Sequence, residues 1–185
     1  MSKPLPVKQY ASVPMMFEAT HPDLAVDVTP PACRFNNILL CNKFKISIIC
    51  EKPFVFTPSQ INRLRDVVIS VYPGYQLQFD IVIQKAFSFL KKEDIRDILL
   101  SQRVFLKPAG WKLRKSSAKG GTLLDNGSHL INLVIQKFGL PKNVFAKVAK
   151  ATQGIELGAE ALLFYPEFIC RIHTDWYSPV GKETK

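Results

Sequence analysis

The residues that usually catalyse reactions do not have the spacing of a known catalytic motif in this sequence. We interpret the three histidines, His21, His129 and His173, as surface or packed side chains rather than catalytic ones. The acidic cluster of Glu93, Asp94 and Asp97 is typical of the first turn of a helix. The sequence contains no G-x-G-x-x-G, G-x-x-x-x-G-K-S/T, G-x-S-x-G or H-E-x-x-H motif. We therefore expect a protein that is not an enzyme and has no catalytic residues.

The cysteines do not have the spacing of a metal site. Cys33, Cys41, Cys50 and Cys170 form no C-x-x-C pair, and a structural zinc site needs close pairs of nitrogen or sulfur ligands. We expect reduced and mostly buried thiols, with no metal and no cofactor.

The distribution of charge along the chain indicates a surface that binds anions. The net charge is +10, and residues 98–155 carry ten Lys or Arg against Asp125 alone. Such a segment repels itself unless an anion neutralises it, although a solvated face that only keeps the protein soluble remains an alternative. The residues expected to bind nucleic acid or an anionic surface are Arg103, Lys107, Lys112, Arg114, Lys115, Lys119, Lys147 and Lys150.

Trp111 lies among these basic residues and has three open interpretations. Its indole could stack on a nucleic-acid base, an interaction worth ~1–3 kcal/mol per base. It could insert into a layer of lipid headgroups, or it could be an ordinary core tryptophan.

The N-terminal region differs in composition from the rest. Residues 1–35 contain six of the 13 prolines and no glycine, which favours an extended chain. We predict a flexible proline-rich arm over 1–35 and a globular basic domain over 36–180. Four apolar residues of the arm are candidates for self-association, namely Val13, Met15, Met16 and Phe17; a plain disordered tail is the alternative.

The globular part should be α+β. Alternating apolar residues predict a strand from Lys43 to Cys50, and Thr57 with Gln60 predicts a capped helix beginning at Pro58 and reaching Val71. The other predicted helices cover residues 78–91, which also fit a strand, 93–100 and 141–151, and the other predicted strands cover 104–107, 111–115, 130–135 and 168–172. This mixture predicts a single compact domain in which helices pack on a small antiparallel sheet.

No apolar run approaches the ~18–20 residues that cross a bilayer. The first ten residues, MSKPLPVKQY, lack the apolar stretch of a signal peptide. We expect a protein of the cytoplasm, with the nucleus as an alternative.

Residues 43 to about 100 resemble the start of the globular domain of rhabdovirus matrix proteins. The similarity lies in Phe44-Lys-Ile-Ser-Ile-Ile49, Glu51-Lys52-Pro53-Phe54, the helix after Thr57, and Tyr75 to Leu90. The budding motifs P-P-x-Y and P-T/S-A-P are absent, which is compatible with the matrix proteins of plant-infecting members.

This resemblance implies a viral structural protein that self-associates, condenses the ribonucleoprotein nucleocapsid and links it to the inner face of the envelope. The implied partners are further copies of the chain, nucleocapsid RNA, the acidic inner leaflet and the tail of a viral glycoprotein. The implied location is the virion, between envelope and nucleocapsid. The alternative is a soluble RNA-binding viral accessory protein, such as a silencing suppressor or a movement factor.

Overall fold

The computed structural model describes residues 7–105, 109–152 and 154–176, which contain two β-sheets with helices packed on them. The helices are α1 (Val13–Thr20), α2 (Pro31–Phe44), α3 (Pro58–Leu64), α4 (Ile81–Ser88), α5 (Lys115–Ala118) and α6 (Ser128–Phe138). The strands are β1 (Leu24–Asp27), β2 (Ser47–Cys50), β3 (Val71–Pro73), β4 (Asp97–Arg103), β5 (Asn143–Thr152), β6 (Ile155–Phe164) and β7 (Ile169–Asp175). None of the described helices is long and apolar enough to span a membrane.

The first sheet is parallel, with strand order β1-β2-β3. Helix α2 joins β1 to β2 and helix α3 joins β2 to β3, because parallel neighbours need a long crossover connection. Phe17 of α1, Ile38 of α2 and Ile48 of β2 lie in one buried cluster on one face of this sheet. The three strands therefore end at the same edge, where the loops that follow them meet.

The other face of the parallel sheet carries an apolar stripe. Val26, Ile49 and Tyr72 are register partners on the three neighbouring strands, and they are 65%, 39% and 55% exposed. Parallel sheets normally have both faces covered, so this stripe is unusual for the fold.

The second sheet is mixed, with strand order β4-β7-β6-β5. Strands β4 and β7 pair in parallel, and the other two pairs are antiparallel. Helix α6 packs its apolar side on one face, where Leu130, Val134 and Phe138 join Cys170 and Ile172 in a buried cluster. This packing fixes the start of α6 relative to the sheet.

The predicted fold class is wrong. A parallel sheet with helical crossovers and a larger mixed sheet replace the single small antiparallel sheet. The error began with residues 130–135, whose continuous apolar run was interpreted as a strand. In the structure Leu130, Leu133, Val134 and Phe138 are buried at helical spacing, and a short apolar run cannot separate the two structures.

Three other predicted elements are also wrong. Residues 93–100 form a 3₁₀ turn (Lys92–Asp94) followed by β4, and residues 111–115 form a 3₁₀ turn (Gly110–Leu113) rather than a strand. The helix predicted over 141–151 is strand β5, because its residues pair with β6 along a long antiparallel register. The secondary structure of these segments is set by their tertiary contacts and not by their local propensity. Most of the strand predicted over 104–107 lies outside the described residues.

The proline-rich segment is folded where the structure describes it. Residues 13–35 contain α1, β1 and the start of α2, and Phe17, predicted to dock on another copy, is 1% exposed in the chain's own core. Pro14 and Pro31 lie in the first turns of helices, where a missing N–H costs nothing. Val13 and Met16 also pack on this core, whereas Met15 is 55% exposed.

Other predictions are confirmed. Thr57 caps α3 by accepting from the Gln60 N–H at 3.2 Å, and Gln60 Oε1 accepts from the Phe56 N–H at 2.7 Å. The helix ends at Leu64, so it is shorter than predicted. The helix within 78–91 is confirmed as α4, the late strand as β7, and the early strand as β2, although α2 takes residues 43 and 44.

Candidate active site

The site lies where the parallel strands end. In open parallel sheets, ligands bind in the crevice beyond the carboxyl ends of the strands. Strand β2 is followed directly by Glu51, Lys52 and Pro53, and β3 is followed by Gly74 and Tyr75. Lys52 is only 8% exposed, and a buried ammonium requires polar partners.

Asp125 supplies those partners. The Lys52 ammonium donates to the main-chain oxygen of Asp125 and lies 3.1 Å from its Oδ1. Two of the three N–H bonds of Lys52 are thus directed at one residue, which leaves the third for another acceptor. Lys112 donates to the other carboxylate oxygen, Oδ2, at 2.8 Å. Burial by itself would raise the pKa of Asp125, but the Lys112 hydrogen bond and the charges of Lys52 and Lys112 lower it, so the carboxyl is ionised at neutral pH.

His129 lies four residues after Asp125. Asp125 belongs to a π-helical turn (Leu123–Gly127) that continues into α6, and such turns are frequent at functional sites. The His129 ring packs edge-to-face against Tyr75, with ring centroids 5.8 Å apart. Burial, and then the charge of Lys52, lower the pKa of His129 from 6.5 to about 4. The imidazole is therefore neutral at neutral pH and can accept a proton.

Arg34 of α2 holds the loop that carries Lys52. Its guanidinium is 5% exposed and donates to the carbonyls of Thr29 at 2.8 Å and Pro53 at 3.2 Å, as well as to the carbonyl of Lys52. Burial of a charge is costly unless hydrogen bonds satisfy it. Arg34 thus ties the loop after β1 to the loop after β2.

The basic residues predicted as one anion-binding surface are not brought together. Arg103 ends β4 and Lys147 lies in β5, which are opposite edges of the mixed sheet. Arg114, Lys115 and Lys119 are exposed around α5, whereas Lys112 is paired with Asp125. Lys107 and the side chain of Lys150 lie outside the described residues. Trp111 is 37% exposed, with the Lys112 ammonium over its ring.

Lys52, Asp125 and His129 were missed as a site. Two signals could have revealed them. Asp125 is the only acidic residue in 98–155, and D-x-x-x-H spacing places both side chains on one side of a helix. A polar Glu-Lys pair directly after a buried strand is the second signal. Within the part of the chain that the structure describes, no three His, Cys, Asp or Glu side chains are grouped to hold a metal ion.

Open parallel sheets of the Rossmann type bind dinucleotides in the crevice beyond the carboxyl ends of their strands, which is where this cluster lies. Two family models match the sequence: "Oxidoreductase family, NAD-binding Rossmann fold" over residues 2–71, and "GFO/IDH/MocA C-terminal domain" over residues 94–185. Between them these matches leave out only residue 1 and residues 72–93, and both matched models are those of the GFO/IDH/MocA oxidoreductases.

Individual relatives agree with this assignment. The chain is 29% identical over 143 residues to scyllo-inositol 2-dehydrogenase (NADP(+)) IolW of Bacillus subtilis, covering 72% of this chain and 40% of that protein. The structure of GenD2 from gentamicin A biosynthesis, in complex with NAD, superposes with a TM-score of 0.83 at 17% identity, covering 93% of this chain and 53% of GenD2. An inositol dehydrogenase homologue from Azotobacter vinelandii, complexed with NAD+, gives a TM-score of 0.76 at 16% identity over 86% and 47% of the two chains.

The chain thus spans about half the length of the proteins it matches. The predicted resemblance to viral matrix proteins is wrong, and so is the prediction of a non-enzymatic assembly or RNA-binding protein, because both family matches are to oxidoreductases. Glu51-Lys52-Pro53 is part of one of the four segments on which that resemblance rested. It marks the site described above.

The family implies a nicotinamide dinucleotide, and the site fits its reacting end. His129 Nδ1 is buried without a hydrogen-bond partner among the described residues, at the edge where parallel sheets bind such ligands. Lys52 adds a positive charge with an unused N–H. The glycine-rich turn that usually binds the pyrophosphate has no G-x-G-x-x-G counterpart in this sequence.

Proposed function

We propose that this chain provides the reaction centre of an NAD(P)-dependent dehydrogenase that oxidises a secondary alcohol of a polyol or sugar ring. The observation that carries the proposal is the cluster of Lys52, Asp125 and His129 beyond the ends of the parallel strands, in which Lys52 is buried and the other two side chains are half-buried. The relatives' names support the substrate class, since one is a scyllo-inositol dehydrogenase and another an inositol dehydrogenase homologue.

Oxidation of a secondary alcohol removes a hydride from carbon and a proton from oxygen, and yields a ketone. When bound, the nicotinamide ring supplies the chemistry that accepts the hydride. The residues of this chain must therefore manage the proton. General acid–base groups contribute about 10²–10⁴-fold to such steps when they are correctly placed.

His129 is suited to accept that proton. Its imidazole is neutral at neutral pH, because burial and the Lys52 charge disfavour the imidazolium ion. Packing against Tyr75 fixes the ring orientation, and its location at the start of α6 places it on a rigid element. Asp125, one helical turn earlier, then stabilises the positive charge that develops on the ring.

Lys52 is suited to stabilise the oxygen that loses the proton. Its ammonium keeps one N–H beyond the two that Asp125 accepts, and a charge-assisted hydrogen bond is roughly twice as strong as a neutral one. The substrate hydroxyl binds between Lys52 and His129, so that Lys52 lowers its pKa while His129 accepts its proton.

The test is an assay of the full chain with NAD+ or NADP+ and a panel of inositols and sugars. We expect reduced nicotinamide to form with at least one polyol and to disappear in Lys52→Met and His129→Gln variants. A folded chain that reduces neither cofactor with any member of the panel would overturn the proposal.

Self-association, contact with a membrane or nucleic acid, and location in the cell stay predictions. The residues first assigned to these contacts do not form one surface, and the dehydrogenase proposal requires none of them.

A further inference from the structure

The Lys112 ammonium lies beside the site, in contact with one carboxylate and two indole rings. Its ammonium is 2.8 Å from Asp125 Oδ2, 5.8 Å from the centroid of the Trp111 ring and 5.7 Å from that of Trp176. Trp176 is only 1% exposed, so one of these two rings is a fixed part of the core. A cation over an indole face is attracted by the negative face of the ring, and more strongly where water is excluded.

Each oxygen of Asp125 therefore has an ammonium of its own. Lys52 takes Oδ1 from the side of the parallel sheet, and Lys112 takes Oδ2 from the turn before α5. Rotation of the carboxylate would break both hydrogen bonds. With a single lysine the Asp125 carboxylate could rotate, and Lys52 would then keep its bond to the main-chain oxygen of Asp125 but lose the fixed position of Oδ1.

We infer that Lys112 is a positioning residue for the proposed dehydrogenase reaction: it fixes the Asp125 carboxylate and, through it, the ammonium of Lys52. The inference rests on the proposed function. Lys112 acts through Asp125, because its charge is already matched by that carboxylate and by two aromatic rings. Displacements of about 1 Å in such supporting groups can cost ~10²-fold in rate.

Lys112 also lowers the pKa of Asp125. The charged and titratable groups around this carboxyl are Lys52, which follows β2, Lys112, which lies in the turn before α5, and His129 on α6. Loss of Lys112 leaves one ammonium to oppose the effect of burial, so the pKa of Asp125 rises. Where catalysis needs the ionised form, the acid limb of the rate profile then moves to higher pH.

The experiment compares the full chain with Lys112→Met, Lys112→Arg and the matched control Lys142→Met, which removes one exposed charge elsewhere. With scyllo-inositol and NADP+, we expect Lys112→Met to lower kcat about 10–100-fold at nearly unchanged KM, as removal of supporting residues typically does. Its acid limb should move to higher pH, Lys112→Arg should recover most of the rate, and Lys142→Met should match the wild type.

A second measurement separates this inference from the proposed function. Carbon-detected NMR of the Asp125 carboxyl follows its titration with no substrate present. If the wild type is inactive but Lys112→Met raises the pKa of Asp125, only the proposed function fails. If the pKa and kcat both equal those of Lys142→Met, or if only KM rises, the positioning role is overturned. Should Lys112→Met not fold, Lys112→Gln, which keeps a hydrogen-bond donor, takes its place.

Discussion

The Lys52 ammonium lies 3.1 Å from Asp125 Oδ1, although the two residues are 73 positions apart in the chain. Lys52 follows a strand of the parallel sheet, and Asp125 precedes the helix that packs on the mixed sheet. The ion pair therefore forms only when both sheets are folded and joined.

Replacement of Lys52 by methionine should abolish most of the alcohol oxidation while the chain stays folded. Asp125 keeps its hydrogen bond to Lys112, so its carboxylate remains paired. We expect a fall in kcat of about 10²–10³-fold, the usual cost of one lost stabilising donor. Steady-state kinetics with circular dichroism as a folding check measure this, and Lys91→Met, which removes an exposed lysine elsewhere in the chain, is the control. Equal losses in both variants would contradict the role of Lys52.

His129 should make stability depend on pH in a defined window. In the folded chain the pKa of His129 is about 4, against 6.5 for an ordinary histidine, so the unfolded chain binds this proton first as pH falls. The stability that His129 contributes is present above pH 6.5 and is lost as pH falls towards 4. The total loss is up to roughly 3 kcal/mol, since each pKa unit corresponds to about 1.4 kcal/mol.

The measurement is urea unfolding of the wild type and His129→Gln near neutral pH and at about pH 5. Other groups titrate in both proteins, so the difference between them isolates His129. The advantage of the wild type should shrink at the lower pH. A difference that stays constant would mean that the histidine titrates normally.

Gly121 should not tolerate a side chain. A Cβ atom there would lie 1.8 Å from the carbonyl oxygen of Glu156 in β6, and a main-chain atom cannot move aside cheaply. We expect Gly121→Ala to lower the free energy of unfolding by about 1–3 kcal/mol or more. Gly139→Ala is the comparison, because nothing lies within 4 Å of that Cβ and only its φ of +81° opposes the change. Thermal unfolding compares the stabilities of the two variants. A smaller loss for Gly121→Ala than for Gly139→Ala would contradict the close contact between Gly121 and the Glu156 carbonyl.

Arg34 should be replaceable by neither methionine nor lysine without loss of stability. Its planar guanidinium donates to carbonyls of two loops at once, which a lysine ammonium on a flexible stem cannot reproduce. Hydrogen bonds to charged groups contribute about 1.5–3 kcal/mol each, so a loss of this order is expected for Arg34→Met. Arg63→Met, which loses only a contact with the Phe35 ring, is the control.

The sequence predicted local features well and long-range ones poorly. The Thr57 cap, helix α4 and strand β7 follow from neighbouring residues, and the structure contains them. Strand β5 looked helical because Val144, Phe145 and Val148 match one helix face, and only the pairing with β6 decides otherwise. The sequence offers signals for the separate members of the site, but the meeting of Lys52 with Asp125, 73 positions later, depends on tertiary packing.

The basic residues of 98–155 do not all lie on one surface in the described structure. Ten basic residues in one segment suggested one surface, yet sequence proximity does not put side chains on one face. Lys112 forms an ion pair with Asp125, and Arg103 and Lys147 lie on the two opposite edge strands of the mixed sheet. A segment with a single acid among many bases is also a place where that acid is paired, and Asp125 is such a case.

The apolar stripe of Val26, Ile49 and Tyr72 bears on the colloidal behaviour of the chain. Molecules with a net charge of +10 repel one another, and at low ionic strength this repulsion keeps their exposed apolar stripes from associating. Added salt shortens the range of the repulsion from about 30 Å at ~0.01 M to about 10 Å at ~0.1 M. The protein is therefore best concentrated at low ionic strength, and turbidity should rise as salt is added.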